Sequence, residues 1–329
     1  MKKLRFLIIG VGAMGRLHIR RLRSVPEAEV VGLVNLSSAP IMLARRLFPE
    51  LAATPVWSDY QTALREIEAD AAIVATPHSW HFEHGMACLD AGLHVLMEKP
   101  LVSDSVKAAQ LAHQAELNRK HLAVVYPYRL EGPFIYLRNL LQAGELGNIL
   151  FISAYQAQSW LRTTADTWRQ NPDLSCGGQL NDSGSHLLDM VLWMTGLEPI
   201  EIHAVIDNRT ARVDVDTALN VRFRGGAIAS FNVIGSASIN WWVDVSIHGD
   251  KGTALYRNQK VLVARSGDRM PGEVAPTSFP STSDPDRNFV DLLLGRITEA
   301  AAPARSGVMI ARLTEAAYES ARSGQCVRL

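Results

Sequence analysis

A chain of 329 residues exceeds the roughly 100–200 residues of one ordinary domain and predicts two domains or one large one. Hydrophobic residues at 47% and charged residues at 20% are the balance of a soluble globular protein, and 33 basic against 33 acidic side chains leave no net charge. With no basic tract, and no apolar stretch near the roughly 18 residues of a membrane span, neither a nucleic acid nor a membrane is expected as a partner.

The opening MKKLRFLIIGVGAMG imitates a secretory leader, with basic residues before an apolar run. That run is only Leu4 to Ile9, interrupted by Arg5, and no small-residue cleavage site follows, so it reads as a buried strand. From there to Tyr126 the apolar runs LRFLIIG, EVVGLVN, AAIVATP, HVLMEKP and HLAVVYP alternate with helix-like stretches. Continuous Val, Ile, Leu and Ala mark strands buried on both faces, and helical crossovers make such a sheet parallel. Residues 1–126 are therefore predicted as a doubly wound α/β domain of the Rossmann type.

A helix over Pro133 to Gln142, a strand at ILFISAYQAQ and a helix within CGGQLNDSGSHLLDMVLW come next. The runs EIHAVID, TALNVRF, AIASFNV, VDVSIHG, TALYRN and KVLVARS then follow with Gly, Asp and Asn at their joints and no helix between them, the pattern of antiparallel pairing. Residues 127–329 are expected to form a second α/β domain around a large, open, mostly antiparallel sheet. The Pro-, Ser- and Gly-rich GDRMPGEVAPTSFPSTSDPD reads as a loop, and two helices beginning near Arg287 and Gly307, within 285–329, close the fold.

Gly10, Gly12 and Gly15 stand in the G-x-G-x-x-G order directly after a strand and at the start of a helix. Gly10 permits a tight turn, Gly12 lets the backbone approach a pyrophosphate, and Gly15 allows close helix packing. The loop with Ala13 and Met14 thus predicts a dinucleotide at a helix N-terminus. The acid expected roughly 20 residues past the last glycine, which would grip the ribose, is replaced by Asn35. A carboxylate there would repel the extra phosphate of NADP, whereas Asn35, Ser37 and Ser38 are neutral donors, with Arg45 and Arg46 a few residues on. The cofactor is read as NAD(P), leaning slightly to NADP over NAD.

In CGGQLNDSGSHLLDMVLW, Asp182 and His186 are four apart and Asp189 continues the same helical face. By itself that face suits a proton-transfer pair, a metal or a satisfied buried network.

The segments GVGAMG, ATPHSWH, EKP and WRQNPDLSCGGQLNDSGSHLLDMVLW, in this order and spacing, resemble the Gfo/Idh/MocA oxidoreductases. NFVDLLLGR and TEAAYESARSGQCVRL are similar to the family's closing helices, so the resemblance covers nearly the whole chain. It implies an NAD(P)-dependent dehydrogenase or reductase that moves a hydride between the nicotinamide and a secondary hydroxyl or ketone of a sugar, polyol or inositol-like substrate. It also implies assembly through the open sheet, as a homodimer or homotetramer. Glu98, Lys99 and Pro100 match the family's EKP, whose lysine lies close to the reacting oxygen. Asp182 and His186 match the acid and histidine paired with it, so Lys99, Asp182 and His186 are the catalytic candidates and Asp189 is read as structural. Thr76, Pro77 and His81 fall on the cofactor loop, together with Glu98 and Lys99. Trp168 and Arg169 align with a recurrent Trp-Arg and join His186 as substrate contacts.

Position 78, where the family often shows asparagine, is His78. His78, His81 and His84 recur every third residue, a spacing that drifts round a helix with no carboxylate or thiolate cluster beside it, so no metal is predicted and His84 is placed on the surface. Tyr126, Tyr128 and Arg129 fall at the domain junction, Trp160 and Arg162 precede the catalytic segment, and Trp241 and Trp242 are expected on opposite faces of a strand, at least one in a core or interface. Cys88, Cys176 and Cys326 lack both disulfide and zinc spacing, which fits a reducing cytoplasm. Two other functions suit the same fold: a redox-assisted glycosidase or lyase with tightly bound NAD, and a non-catalytic dinucleotide-sensing regulator.

Overall fold

The computed structural model describes residues 3–329, so the first two residues of the leader-like opening lie outside the described residues. The chain forms two compact units, the first comprising the chain up to Val125 together with Ser283–Met309, the second Tyr126–Thr282 with Ile310–Leu329.

In the first unit six strands run β3-β2-β1-β4-β5-β6, all parallel: β1 Leu4–Ile9, β2 Ala28–Val34, β3 Val56–Trp57, β4 Ala71–Val74, β5 His94–Met97 and β6 Leu122–Val124. The crossovers are α1 Ala13–Leu22, α2 Ser38–Leu47, α3 Tyr60–Glu66, α4 His81–Asp90 and α5 Ser105–Leu117. The central strands read as uninterrupted Ile, Val, Leu and Ala because helices cover both faces, and Phe6, Ile8, Ile73 and Leu96 are fully buried. Two of the helices that start this way are capped by an acid, Asp59 on α3 and Asp104 on α5, each accepting an N–H of the first turn.

The expected division at 126/127 falls one residue from this one, and of the closing segment expected in the second domain, Ser283–Met309 belongs to the first unit while Ile310–Leu329 belongs to the second. The chain returns to the first unit through α10 Pro285–Leu293, whose Phe289, Val290 and Leu292 join the core cluster of Phe6, Ile19 and Val25. Phe6 and Phe289 meet edge to face with centroids 6.5 Å apart. The apolar face of α10 needs a partner, and the helix starts two residues before the expected Arg287 because Asp284 accepts the N–H groups of Asp286 and Arg287.

The second unit holds a nine-stranded sheet of order β14-β13-β12-β11-β7-β10-β9-β8-β15. Its strands are β7 Ile149–Ala157, β8 Pro199–Asp207, β9 Asp216–Phe223, β10 Ile228–Ile234, β11 Trp242–Gly249, β12 Gly252–Arg257, β13 Lys260–Arg265, β14 Gly272–Glu273 and β15 Val327–Arg328. Pairing is antiparallel except between β7 and β10, because β7 separates the meander β8-β9-β10 from the meander β11-β12-β13-β14. One face, with Ala154, Phe231, Leu219 and Val245 in register, is buried; the other carries exposed Phe151, Val205, Ile228 and Trp242. Trp241 is exposed as well, so neither tryptophan enters the core of the single chain. The unit's helices are α6 Gly132–Gln142, the single turns α7 Trp160–Thr163 and α8 Pro172–Ser175, α9 Ser185–Thr195, and the greater part of α11 Ala304–Ser323, which begins three residues before the expected Gly307.

Candidate active site

Four adjacent strands, β2, β1, β4 and β5, bring the first unit's candidate residues to one edge, since Asn35, the glycine loop, Thr76 and Lys99 each follow the carboxyl end of one of them. Ligands of doubly wound sheets collect at that edge. The three glycines are demanded for three different reasons. Gly10 has φ +94°, and a Cβ there would meet Ala75 O at 2.5 Å; a Cβ on Gly15 would lie 2.0 Å from Gly10 O. At Gly12, the N-cap of α1, φ is −65° and an added Cβ would meet no atom within 4 Å. Neither packing nor a positive φ calls for glycine at 12, so the space in front of the helix N-terminus is left for something outside the chain. A dinucleotide pyrophosphate fits that cradle, with the first amides of α1 and its dipole facing the anion.

Asn35 braces the loop: its Oδ1 accepts the N–H of Val11 at 3.0 Å, and its Nδ2 donates to the carbonyl and hydroxyl of Ser37 at 2.8 and 3.3 Å. Ser37 and Ser38 are exposed at the start of α2. Arg45 and Arg46 occupy the last turn of that helix, where Arg45 donates to Thr54 O, so they stand at its opposite end.

His81 is wholly buried; Nδ1 lies 2.8 Å from Pro100 O and Nε2 3.0 Å from Thr76 O. It is wedged between the loop after β4 and the one after β5, with one N–H to donate to one of the two carbonyls, and presents no surface of its own to a ligand. Burial pushes its pKa below the ordinary value, against the two carbonyls. His84 is buried too, contrary to the expected surface position: its Nδ1 pairs with the Thr76 hydroxyl at 3.0 Å and its ring packs between Tyr60 and Trp80, and burial lowers it to about 4. Lys99 is half-buried beside a buried Glu98.

In the second unit the segment expected as one helix is a π turn, Leu180–Gly184, running into α9. The N–H of Gly184 reaches Gln179 O at 2.8 Å, the five-residue step that widens the turn. Asp214 sets its start, accepting the N–H groups of Gly178 and Leu180 and the hydroxyl of Tyr318, while its own carbonyl accepts the N–H of Gln179. Gly178 has to be glycine because a Cβ would lie 1.9 Å from Asp214 O.

Asp182, 4% exposed, projects from the wide turn, and its Oδ2 accepts from the indole of Trp160 at 2.8 Å and from Arg169 Nε at 3.0 Å. The guanidinium of Arg169 also covers the Trp168 ring at 4.5 Å. His186, one turn later and partly exposed, has Tyr126 and Tyr128 set edge-on to it, each with its centroid 6.0 Å away. Asp189 leaves the stripe for a buried bidentate pair with Arg129, at 2.9 and 2.6 Å. The structure thus brings Asp182, Trp160, Trp168 and Arg169 together, and sets Asp189 and Arg129 apart as a packing pair.

Neither Asp214 nor Tyr318 carried any motif signal. Each acts on the segment from far along the chain, and only the paired glycines hinted that another backbone comes close.

Residues 4–126 match the family described as an oxidoreductase family with an NAD-binding Rossmann fold, and residues 134–255 match the GFO/IDH/MocA C-terminal domain. The chain is 25% identical to an inositol 2-dehydrogenase of Mycolicibacterium gilvum, over 98% of this chain and 93% of that one. It is equally 25% identical to a D-glucoside 3-dehydrogenase of Escherichia coli, over 99% and 97%. In fold it is similar to an aldose-aldose oxidoreductase from Caulobacter crescentus, with a TM-score of 0.87 at 21% identity over the whole of both chains. Matched in both halves and along nearly its full length, this chain belongs to the Gfo/Idh/MocA family of oxidoreductases.

Proposed function

We propose that the protein is an NAD(P)-dependent dehydrogenase or reductase acting on a secondary hydroxyl, or the matching ketone, of a sugar, polyol or inositol-like ring. The observation that carries this reading is the chemistry present in both matched halves: the open cradle at Gly12 with Lys99 at the same sheet edge, and Asp182 on a π turn braced by Asp214 with His186 on the α9 helix that follows it. Relatives aligned along the full chain are named for oxidising one secondary hydroxyl of a cyclic polyol or glucoside, which supports the substrate class.

Bound nicotinamide supplies a carbon able to accept or return a hydride. The residues do the rest. In the oxidation direction His186 takes the hydroxyl proton, Lys99 stabilises the developing alkoxide, and Asp182 orients the imidazole or accepts a neighbouring hydroxyl. Trp168 and Arg169 offer a flat apolar face and a fork of donors, the pairing that suits a sugar ring and its oxygens. Glycines 10, 12 and 15, with Ala13 and Met14, hold the cofactor's pyrophosphate, and Thr76 and Pro77 border it.

Position 35 carries no carboxylate to repel a 2′-phosphate, and the Ser37 and Ser38 hydroxyls at the exposed start of α2 suit one, so NADP is slightly favoured over NAD. The exposed apolar side chains on the open face of the second sheet support a homodimer or homotetramer. The protein is placed in the cytoplasm on its cysteine usage.

The experiment is the change in reduced-nicotinamide absorbance with sugars, inositols, polyols and their keto forms, with NAD and NADP in parallel. Turnover that falls about 100-fold or more in His186→Ala supports the reading. Tight cofactor binding with silence across the panel, or a fully active His186→Ala, would overturn it.

A further inference from the structure

Glu98 and Lys99 leave β5 together, and Glu98 is held by an imidazole from the glycine-loop helix. His18, on α1, is completely buried, with Nδ1 2.8 Å from Asp286 Oδ1 and Nε2 3.2 Å from Glu98 Oε1. The second oxygen of Glu98 accepts the backbone N–H of Lys99 at 3.2 Å. Asp286, on α10, is itself buried and also accepts from Arg21 at 3.4 Å. From the other side, His81 holds the carbonyl of Pro100.

A neutral imidazole carries one N–H and one lone pair, so it cannot donate to carboxylates at both ends, whereas an imidazolium donates to both. Without a cation between them, two buried carboxylates would repel each other and hold a proton instead. Burial opposes a charge on His18, but Asp286 and then Glu98 outweigh it and raise the ring to about 10. A charge held this deep bears first on what it touches, Asp286 and Glu98, the residue just before Lys99.

We propose that His18 is a positioning residue for Lys99: anchored on Asp286, the charged ring fixes Glu98 and through it the backbone from which the lysine projects. The helix that faces the cofactor pyrophosphate and the lysine at the reacting oxygen are thereby set as one piece, and the late-arriving α10 is part of that piece. This rests on the reading of Lys99 given above.

The test compares His18→Gln, Asp286→Asn and Lys99→Met in the full chain. In the cofactor-free protein, labelling of Lys99 by an acylating reagent is followed against pH by mass spectrometry. The titratable and charged groups that bear on this labelling are His18, Glu98, Asp286, Arg21 and His81. In His18→Gln the two carboxylates are expected to hold a shared proton, and in Asp286→Asn the ring gives up its own, so the net charge beside Lys99 is kept and a shift of the labelling midpoint in either variant reports displacement of the lysine. Both are expected to cut kcat about 10- to 100-fold by displacing the lysine, with cofactor KM little changed. A shifted midpoint with a fall in kcat at unchanged cofactor KM separates displacement of Lys99 from a general loss of packing.

Should His18→Gln fail to fold, Asp286→Asn alone decides by its labelling midpoint and kcat. An unchanged labelling midpoint and kcat in the folded variants, beside an inactive Lys99→Met, would overturn the inference. A fully active Lys99→Met would instead overturn the catalytic reading of the lysine, and the labelling midpoints would still decide whether His18 positions it.

Discussion

The indole N–H of Trp160 and the Nε of Arg169 converge on one oxygen of Asp182, at 2.8 and 3.0 Å. Two donors on a nearly buried carboxylate fix its direction, and a hydrogen bond to a charged group contributes about 1.5–3 kcal/mol. Trp160→Phe keeps the ring and removes the donor. It is expected to lower kcat/KM by about 10- to 100-fold with little change in cofactor affinity. Unaltered steady-state kinetics would remove the indole from the account and leave Arg169 as the sufficient partner.

Two glycines three residues apart should respond in opposite ways to one methyl group. Gly12→Ala places its Cβ in open space, so the thermal midpoint of the cofactor-free protein is expected to hold while the stabilisation by added cofactor, about 2.7 kcal/mol at a hundredfold excess over Kd, is lost. Gly15→Ala puts a carbon against the carbonyl of Gly10 and is expected to lower the midpoint without any ligand, although alanine ordinarily favours a helix. Thermal melts with and without NAD(P)H separate the two, and a Gly12→Ala protein still stabilised by cofactor would refute the cradle.

Asn35→Asp tests the cofactor leaning. The carboxylate can still accept the N–H of Val11, but it loses both donors to Ser37 and adds a charge where a 2′-phosphate would sit. At an effective dielectric near 20, like charges 4 Å apart repel by about 4 kcal/mol, so affinity for NADPH is expected to fall about tenfold or more relative to NADH. Fluorescence titration of both reduced cofactors reads this, and equal effects on the two would place the phosphate elsewhere.

Three histidines, His18 and His84 buried and His94 partly so, set two edges to the pH range of stability. His18, raised to about 10 from an ordinary 6.5, keeps its proton in the native state where the unfolded chain has released it. Its contribution is complete below about pH 6.5 and lost as pH rises through about 10. His84 and His94, both lowered to about 4 chiefly by burial, refuse a proton that the unfolded chain takes, so their contribution is present above about 6.5 and lost as pH falls toward 4. Melting temperature against pH is expected to fall on both sides, with a shallower acid limb in His84→Gln; an identical limb would show that other groups set it.

The pair Arg129 and Asp189 is expected to govern stability with no part in chemistry. Removing one member leaves a buried charge unpartnered, which costs about 3–5 kcal/mol, so Arg129→Met should lower the thermal midpoint sharply while kcat per folded molecule is kept. A large loss of kcat in protein that remains folded would instead give Arg129 a part in the site.

What could be read from the chain was local. The strand and glycine-loop pattern of residues 4–15 carries its own signal, because a strand buried on both faces is continuously apolar and a tight turn onto a helix admits little but glycine. Lys99, Asp182 and His186 were visible through short motifs at family spacing. What braces them was not: Asp214 reaches Gly178 across 36 residues, Tyr318 reaches Asp214 across 104, and Asp286 reaches His18 across 268. A single acid or tyrosine in a strand or helix has no pattern announcing so distant a partner. The π turn escaped because four-residue spacing looks the same whether or not a fifth residue widens the turn. The surface position expected for His84 rested on a spacing that drifts round the helix, whereas the ring packs between Tyr60 and Trp80, neighbours that the spacing does not show.

The return of α10 to the first unit bears on how the protein is born. On the ribosome the strands of the nucleotide-binding unit emerge before α10, and the positions of Phe289 and Val290 in its core stay empty, and His18 lacks Asp286, until α10 is made. At roughly 5–20 residues per second, the stretch from Val125 to Ser283 takes about 10–30 s to synthesise, during which Phe6, Ile19 and their neighbours await cover. An apolar core left open for that long is the kind of surface that chaperones shield, and the unit is completed only when α10 has emerged.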